Sequence, residues 1–271
     1  MSNQPYFSRE HAEYLRALRR DKKAVTLARY LILIFFLVLW EALTRLNLLD
    51  PFIFSSPSRI VSTIASLHRN GELFVHIGTT LLETVLGFLL GTLLGVLIAI
   101  LLWWFPRAAK VLDPYLVILN ALPKIALGPI LIVWLGAGMD AIITIAVLVS
   151  IVVTITSVLN GFCEVSEEKL LLMRSFGASK LQMLTMVVLP SSIPTMVSTL
   201  KLNVGMSWVG VIVGEYLVSK SGLGYLIVYG GQVFQLDLVM TSIVILCILA
   251  ALMYYCIAFL EKRILQARGE G

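Results

Sequence analysis

Three stretches of this chain, residues 84–105, 141–162 and 238–260, each run for more than 20 residues without a single charged side chain. A helix needs ~20 mostly apolar residues to cross the hydrocarbon of a bilayer, so each stretch is long enough to span one. Three further runs reach that length with a few charges: 24–43 with Arg29 and Glu41 near its ends, 115–134 around Lys124, and 195–217 around Lys201 and Glu215. The chain therefore reads as an all-α integral membrane protein with six transmembrane helices. Its composition agrees. With 59% hydrophobic and 14% charged residues and a mean hydropathy of +0.93, it cannot be an ordinary soluble domain.

Orientation follows from Lys and Arg, which concentrate in cytoplasmic loops. Before the first span lie Arg9, Arg16, Arg19, Arg20, Lys22 and Lys23, with Arg29 at its edge. Alternation from an inside N-terminus adds Arg107, Lys110, Lys169, Arg174, Lys180, Lys262, Arg263 and Arg268 to the inner side, and leaves Arg45, Arg59, Arg69 and Lys220 outside. Fifteen basic residues inside against four outside place both termini in the cytoplasm. The net charge of +5 is then a matter of topology, and no nucleic-acid partner is expected. Residues 1–23 are too polar for a cleavable signal peptide and read as a cytoplasmic tail, either amphipathic through Tyr14, Leu15 and Leu18 or simply solvated. Cys163, Cys247 and Cys256 are isolated and suggest neither a metal site nor a disulfide framework.

Within the spans, Gly87, Gly91 and Gly95 form a double GxxxG stripe, which reads as a helix-packing seam. In the third span, Leu122-Pro123-Lys124-Ile125-Ala126-Leu127-Gly128-Pro129 puts two prolines and a glycine at mid-membrane. Each proline removes a helix hydrogen bond, which a membrane tolerates only beside protein or a water-lined cavity, so this span should kink and border a pathway. Lys124, Lys201 and Glu215 are costly charges, at ~2.5–3.5 kcal/mol each near a helix centre. They either line or gate a translocation route or form structural ion pairs; for Glu215, beside Ser219 to Gly224, capping or gating of the outer mouth is the better reading.

The polar segment 166–194 interrupts this apolar pattern. Ser166 is placed to cap a helix whose first turn holds Glu167 and Glu168, and that helix runs to Phe176. Gly177 supplies the left-handed turn. Ser179 and Gln182 form a capping-box pattern that starts a second helix, which Leu189-Pro190 closes. The expected product is a helix-turn-helix at the membrane surface with Leu170, Leu171, Met173, Phe176, Leu181 and Leu184 as an apolar knob suited to a groove on a soluble partner.

Gly177, thirteen residues ahead of Pro190, with Val187 and Leu189-Pro190, resembles the EAA loop of binding-protein-dependent ABC importer permeases. From about Pro51 to Glu261 the chain is similar to the nitrate, sulfonate and taurine group of those permeases. The likeness rests on Ser55-Ser56-Pro57-Ser58, Gly87-Phe88, Gly95, the segment from Leu122 to Pro129 running into Trp134-Leu135-Gly136, Gly214-Glu215, and Ser221-Gly222-Leu223-Gly224-Tyr225-Leu226-Ile227. Two positions depart from that pattern. Leu171-Leu172-Met173 stands in place of Glu-Ala-Ala, and Glu83 stands where close relatives are expected to carry a basic residue.

The resemblance implies a type I importer permease: a six-helix domain over residues 24–261, a coupling hairpin over 164–190 and a cytoplasmic tail from 262 to 271. Its implied partners are a dimer of ABC ATPase subunits, an extracytoplasmic substrate-binding protein, a second permease copy forming a homodimer, and the bilayer of a prokaryotic inner membrane. ATP and magnesium would belong to the ATPase, since this chain has no GxxxxGK[ST] loop; no cofactor, metal or catalytic residue is expected here. The candidate coupling residues are Glu167, Glu168, Leu171, Met173, Phe176, Gly177, Ala178, Ser179, Leu189 and Pro190. Pro123, Lys124, Lys201, Asn203, Trp208 and Glu215 are the candidate pathway or gate.

Lysines in the pathway favour a small anion such as a sulfonate, taurine, nitrate or bicarbonate, and relatives that carry neutral heterocycles such as thiamine precursors are the alternative. A six-helix channel or secondary transporter is the competing class, which would not need the capped hairpin. An intramembrane enzyme is weaker, because His11, His68 and His76 read as loop or tail residues and neither HExxH nor GxSxG occurs.

Overall fold

A computed structural model describes residues 9–267, and every element described is helical. In chain order they are α1 (Arg9–Arg45), α2 (Pro51–Phe54), α3 (Pro57–Arg69), α4 (Leu73–Trp104), α5 (Pro106–Ala121), α6 (Gly128–Leu135), α7 (Met139–Cys163), α8 (Glu167–Ser175), α9 (Lys180–Met183), α10 (Leu189–Val218), α11 (Leu223–Gln232) and α12 (Leu236–Ala267). Five are long and apolar enough to cross a membrane: Lys23–Arg45 within α1, α4, α7, Lys180–Val218, and Leu236–Gln266 within α12. The sixth span is a broken pair, Pro106–Ala121 and Lys124–Leu135, bent by 85°.

Sequence anticipates a kink in the third span, and the structure shows a full break. Leu122, ahead of Pro123, is held extended with ψ of 132°, as the ring of a following proline requires, and that ends α5. A single 3-10 turn, Lys124–Leu127, then leads into α6, whose Pro129 sits in the first turn, where the missing N–H costs nothing. A second difference concerns Pro190, which does not close the second hairpin helix. A π-turn, Leu184–Val188, joins α9 to α10 without interruption. It spans the carbonyl of Met186, four residues before Pro190, so the chain absorbs the lost donor by widening one turn. The N-terminal tail, where described, continues α1; the facing of Tyr14 and Leu15 lies outside the described residues.

The core is a crossing of α4, α7 and α10. A Cβ added to Gly87 would lie 2.7 Å from the Ala146 Cβ, and one on Gly95 would lie 2.5 Å from the Thr154 Cβ, so the glycine stripe of α4 is filled by α7. From the other side, a Cβ on Gly210 would lie 2.5 Å from the Ala146 Cα, and one on Gly214 would lie 3.0 Å from the Ile142 Cα. Polar side chains pin the same seam. Asn203 Nδ2 of α10 donates to Thr92 Oγ1 at 3.0 Å and to Thr154 Oγ1 at 2.8 Å, and Ser192 Oγ donates to the Gly161 carbonyl at 2.8 Å.

At the end away from the hairpin, the Ser55 to Ser58 motif is explained by packing. Ser55 Oγ donates to Asp237 at 2.7 Å, Ser56 caps α3, and Pro57 starts it. Arg59 pairs with Asp237 at 2.6 Å and donates to the Pro51 carbonyl at 2.8 Å, which fixes α2 and α3 to the start of α12.

The seam predicts a contrast between two glycines of one helix. Gly210→Val forces atoms into the α7 backbone, so it should cost at least ~1–3 kcal/mol and lower the yield of folded protein. Gly205→Ala meets nothing within 4 Å and should be neutral or stabilising by up to ~1 kcal/mol. Thermal melting of the purified chain in detergent checks both.

Candidate coupling hairpin and pathway residues

The hairpin forms as its caps dictate. Ser166 Oγ accepts from Lys169 N at 3.4 Å, and Glu167 and Glu168 follow in the first turn of α8. Gly177 takes φ of +74°. Its N–H donates to the Arg174 carbonyl at 2.9 Å and that of Ala178 to the Met173 carbonyl at 3.0 Å, a Schellman arrangement. Ser179 and Gln182 complete a capping box, with Ser179 N donating to Gln182 Oε1 at 2.7 Å and Gln182 N to Ser179 Oγ at 3.3 Å.

Leu171, Leu172, Phe176 and Leu181 are exposed on this element, Phe176 by 77%. Met173 and Ala178 are half-buried, as are Leu189 and Pro190 at the base of α10. Two residues of the expected knob point elsewhere. Leu184 is buried with Val158, Phe162, Val165 and Val188, and Leu170 packs against that same cluster, so both face α7. Leu172, not counted in that knob, is exposed in their place.

One anchor of the hairpin had no motif to announce it. Lys180 Nζ donates to the carbonyl of Trp104, the last residue of α4, and lies 5.4 Å and 5.8 Å from the ring centroids of Trp104 and Trp103. A cation thus satisfies an orphan carbonyl at the negative end of a helix dipole and stacks on two indoles.

The far end of α10 is built in the same way. The first four N–H groups of α11 have no cap from their own segment, and side chains of α4 and α10 take them. Gly222 N donates to His76 Nδ1 at 3.0 Å, Leu223 N to Thr80 Oγ1 at 2.7 Å, Gly224 N to Glu215 Oε2 at 2.6 Å and Tyr225 N to the same oxygen at 3.4 Å. Gly222, with φ of +113°, and Gly224 leave room for the Glu215 carboxyl, since a Cβ on Gly224 would lie 2.8 Å from its Oε2. His76 is therefore a buried helical residue of α4, not a loop residue; α4 begins at Leu73, earlier than the uncharged run suggests. Its spacing with Thr80 and Glu83, one helical face, was the signal available in sequence.

The other pathway candidates are scattered through the fold. Pro123 is exposed at the break in the third span, and Lys124 Nζ bonds back to the Asn120 carbonyl at 3.3 Å. Lys201 pairs with Glu261 of α12 at 2.8 Å. Asn203 lies inside the three-helix seam, and Trp208 packs with Phe88 and Val204. Glu215 is 1% exposed and caps α11. At that same end, a cavity of about 740 Å³ is lined by Arg59, Asn70, Glu72, His76, Lys220 and Asp237 among others. Among the described residues no group of three or more His, Cys, Asp or Glu side chains is placed to hold a metal ion.

Helices of this length and apolarity, with a broken third span and an ordered polar hairpin between two spans, define a multi-pass membrane protein. Residues 91–268 match the family described as binding-protein-dependent transport system inner membrane component, and the chain belongs to that family of ABC importer permeases. It is similar to a "Probable ABC transporter permease protein" of Haemophilus influenzae, with 33% identity over 228 residues covering 84% of this chain and 92% of the relative. It is also similar to the taurine transport system permease protein TauC of Escherichia coli, 24% identical over 86% of this chain and 87% of that protein. The formylaminopyrimidine transport permease protein ThiX of Halalkalibacterium halodurans is 29% identical over 70% and 75%. In fold, the chain is similar to a chain of a bacterial ABC transporter involved in the import of alginate, with a TM-score of 0.64 and 14% identity over 93% of this chain and 99% of that one.

Removing the Lys180 anchor should loosen the hairpin without unfolding the protein. In Lys180→Met the stem still covers the indoles, but the bond to Trp104 is lost, at a cost of ~1 kcal/mol. Amides of 167–183 should then exchange roughly fivefold faster, while those of α7 stay unchanged, as read by hydrogen–deuterium exchange.

Proposed function

We propose that this chain is the membrane-spanning subunit of an ATP-driven importer, and that the 164–190 hairpin is the element through which a separate ATPase drives it. The observation that carries this reading is the exposed apolar knob of Leu171, Leu172 and Phe176, held on a capped turn between two membrane spans. A protein puts no free energy into ordering such a patch in water unless something covers it. A channel or secondary transporter needs no apolar knob, no glycine turn and no soluble partner.

In this reading the hairpin faces the cytoplasm, as the Lys and Arg distribution favours, and docks in a cleft of each ATPase subunit of a dimer. Glu167, Glu168, Leu171, Met173, Phe176, Gly177, Ala178 and Ser179 make or shape that contact, while Leu189 and Pro190 carry it into α10. With Leu171 where relatives are expected to carry Glu, the contact is mainly apolar. ATP and magnesium stay in the ATPase. The opposite end, with its 740 Å³ cavity, receives the extracytoplasmic binding protein, and a second copy of the chain completes the pathway. Pro123 and Lys124 at the broken span, and Lys201, Asn203, Trp208 and Glu215 along α10, border or brace that route.

The cargo is a small anion of the sulfonate or taurine kind, supported by the likeness to a taurine permease and by Lys124 at the broken span. The likeness to a formylaminopyrimidine permease supports a neutral heterocycle as the second reading. A thermal-shift screen of the cognate binding protein separates them, because a ligand whose dissociation constant lies far below its concentration raises the melting temperature by mass action. Taurine and alkanesulfonates should stabilise it, and a pyrimidine alone doing so would favour the second reading.

Turn geometry supplies the test of coupling. Gly177→Val places a β-branched side chain at positive φ, which costs at least ~1–2 kcal/mol and distorts the hairpin, whereas Gly177→Asn tolerates that conformation. Both variants should insert normally. In membrane vesicles supplied with the ATPase and the loaded binding protein, Val should abolish most uptake and Asn should keep most of it. Equal uptake by the two variants would remove the coupling assignment.

A further inference from the structure

Glu83 of α4 and Glu215 of α10 are 2% and 1% exposed, and the two carboxyl groups lie side by side inside the protein, each the neighbouring acid of the other. Glu83 Oε2 and Glu215 Oε1 are buried and accept from no donor. An ionised carboxylate only accepts hydrogen bonds, so two ionised groups in contact would repel with nothing between them. Among the described residues no Lys or Arg pairs with either of them. The ion pairs among the described residues are Arg45–Glu41, Arg59–Asp237 and Lys201–Glu261.

The surrounding groups offer no further cation. From α4 come Thr80 and, one turn beyond, His76, which accepts from Gly222 N through Nδ1 and has Glu72 as its charged neighbour. From α10 comes Tyr216, from α11 the backbone N–H groups of Gly224 and Tyr225, and Lys220 lies exposed on the connecting loop.

We propose that Glu83 and Glu215 form a proton-binding site, with one proton held between Glu83 Oε2 and Glu215 Oε1. Partner geometry says which group carries it. Glu215 Oε2 accepts two backbone N–H donors at the N-terminus of α11, where the helix dipole favours an anion, so Glu215 is the carboxylate. Glu83 is then the acid, and its O–H donates to Glu215. The proton turns a repulsive contact between α4 and α10 into a bond that also braces the start of α11. This site stands on packing alone and is independent of what the protein transports.

Infrared difference spectroscopy on the full-length chain in lipid nanodiscs tests the proposal directly. At neutral pH the parent minus Glu83→Gln spectrum should show the carbonyl stretch of a protonated carboxylic acid. Absence of that band overturns the site. Melting supplies a second reading, since the Gln amide donates in place of the acid O–H. Glu83→Gln should melt within ~2 °C of the parent, while Glu83→Ala, which leaves Glu215 Oε1 unpaired beside a void, should melt ~4 °C or more lower. Equal losses in Gln and Ala would reject a donated proton. So would a parent melting temperature that rises with sodium concentration and a Glu83→Gln one that does not, since that pattern means a bound metal cation occupies the site.

Discussion

Everything else in this fold hangs from the contact of Gly87 and Gly210 with Ala146. Lipid tails solvate apolar side chains as well as other helices do, so membrane helices gain little from hydrophobic burial against one another; close backbone approach and interhelical hydrogen bonds hold them together. Gly87 of α4 and Gly210 of α10 press on the fully buried Ala146 from two sides, which makes α7 the wedge of a three-helix core. Asn203 sets the register of that core, because its one amide nitrogen reaches Thr92 on α4 and Thr154 on α7. Sliding α10 by one residue would break both bonds, sliding α4 or α7 would break one of them, and each shift would drive a side chain against a glycine seam.

Much of this was legible in sequence, and the reasons differ from element to element. Uncharged runs announce spans because the bilayer tolerates nothing else. The Gly87, Gly91 and Gly95 stripe announces close packing because absence of a side chain has few other uses at that spacing. The hairpin caps could be read residue by residue because Ser166, Gly177, Ser179 and Gln182 act on backbone groups within three residues of themselves. What escaped reading is whatever depends on distant residues. Lys180 reads as one more basic loop residue until Trp104 is beside it, and Leu184 reads as a surface residue until Val158 and Phe162 of α7 are seen to cover it. Pro190 looked like a stop because a proline states what it forbids; which neighbouring turn absorbs the lost bond is decided by tertiary packing.

The candidate site divides along the same line. Chain-local features of the hairpin emerged where they were expected, whereas Lys201 and Glu215, two charges inside the spans, proved to be partners of other helices. Lys201 was legible as a costly charge, but its pairing with Glu261, 60 positions on, carries no local signature. His76 escaped because a histidine near the edge of an apolar run resembles a loop residue until α4 is seen to start at Leu73.

A single rule connects the two ends of the molecule. A helix that ends in or near a bilayer cannot leave its terminal N–H and C=O groups to water, so side chains of other helices take them. The continuous helix Lys180–Val218 serves two neighbours at once and matches charge to dipole each time. Its first residue, Lys180, puts a cation on the C-terminus of α4, and Glu215, ~50 Å further along at 1.5 Å per residue, puts an anion on the N-terminus of α11. Between those caps the same helix is wedged against Ala146. An axial shift of this helix therefore strains a cap at each end and the seam in the middle together. Sliding of this helix against α4 and α7 is thereby opposed at three points along its length.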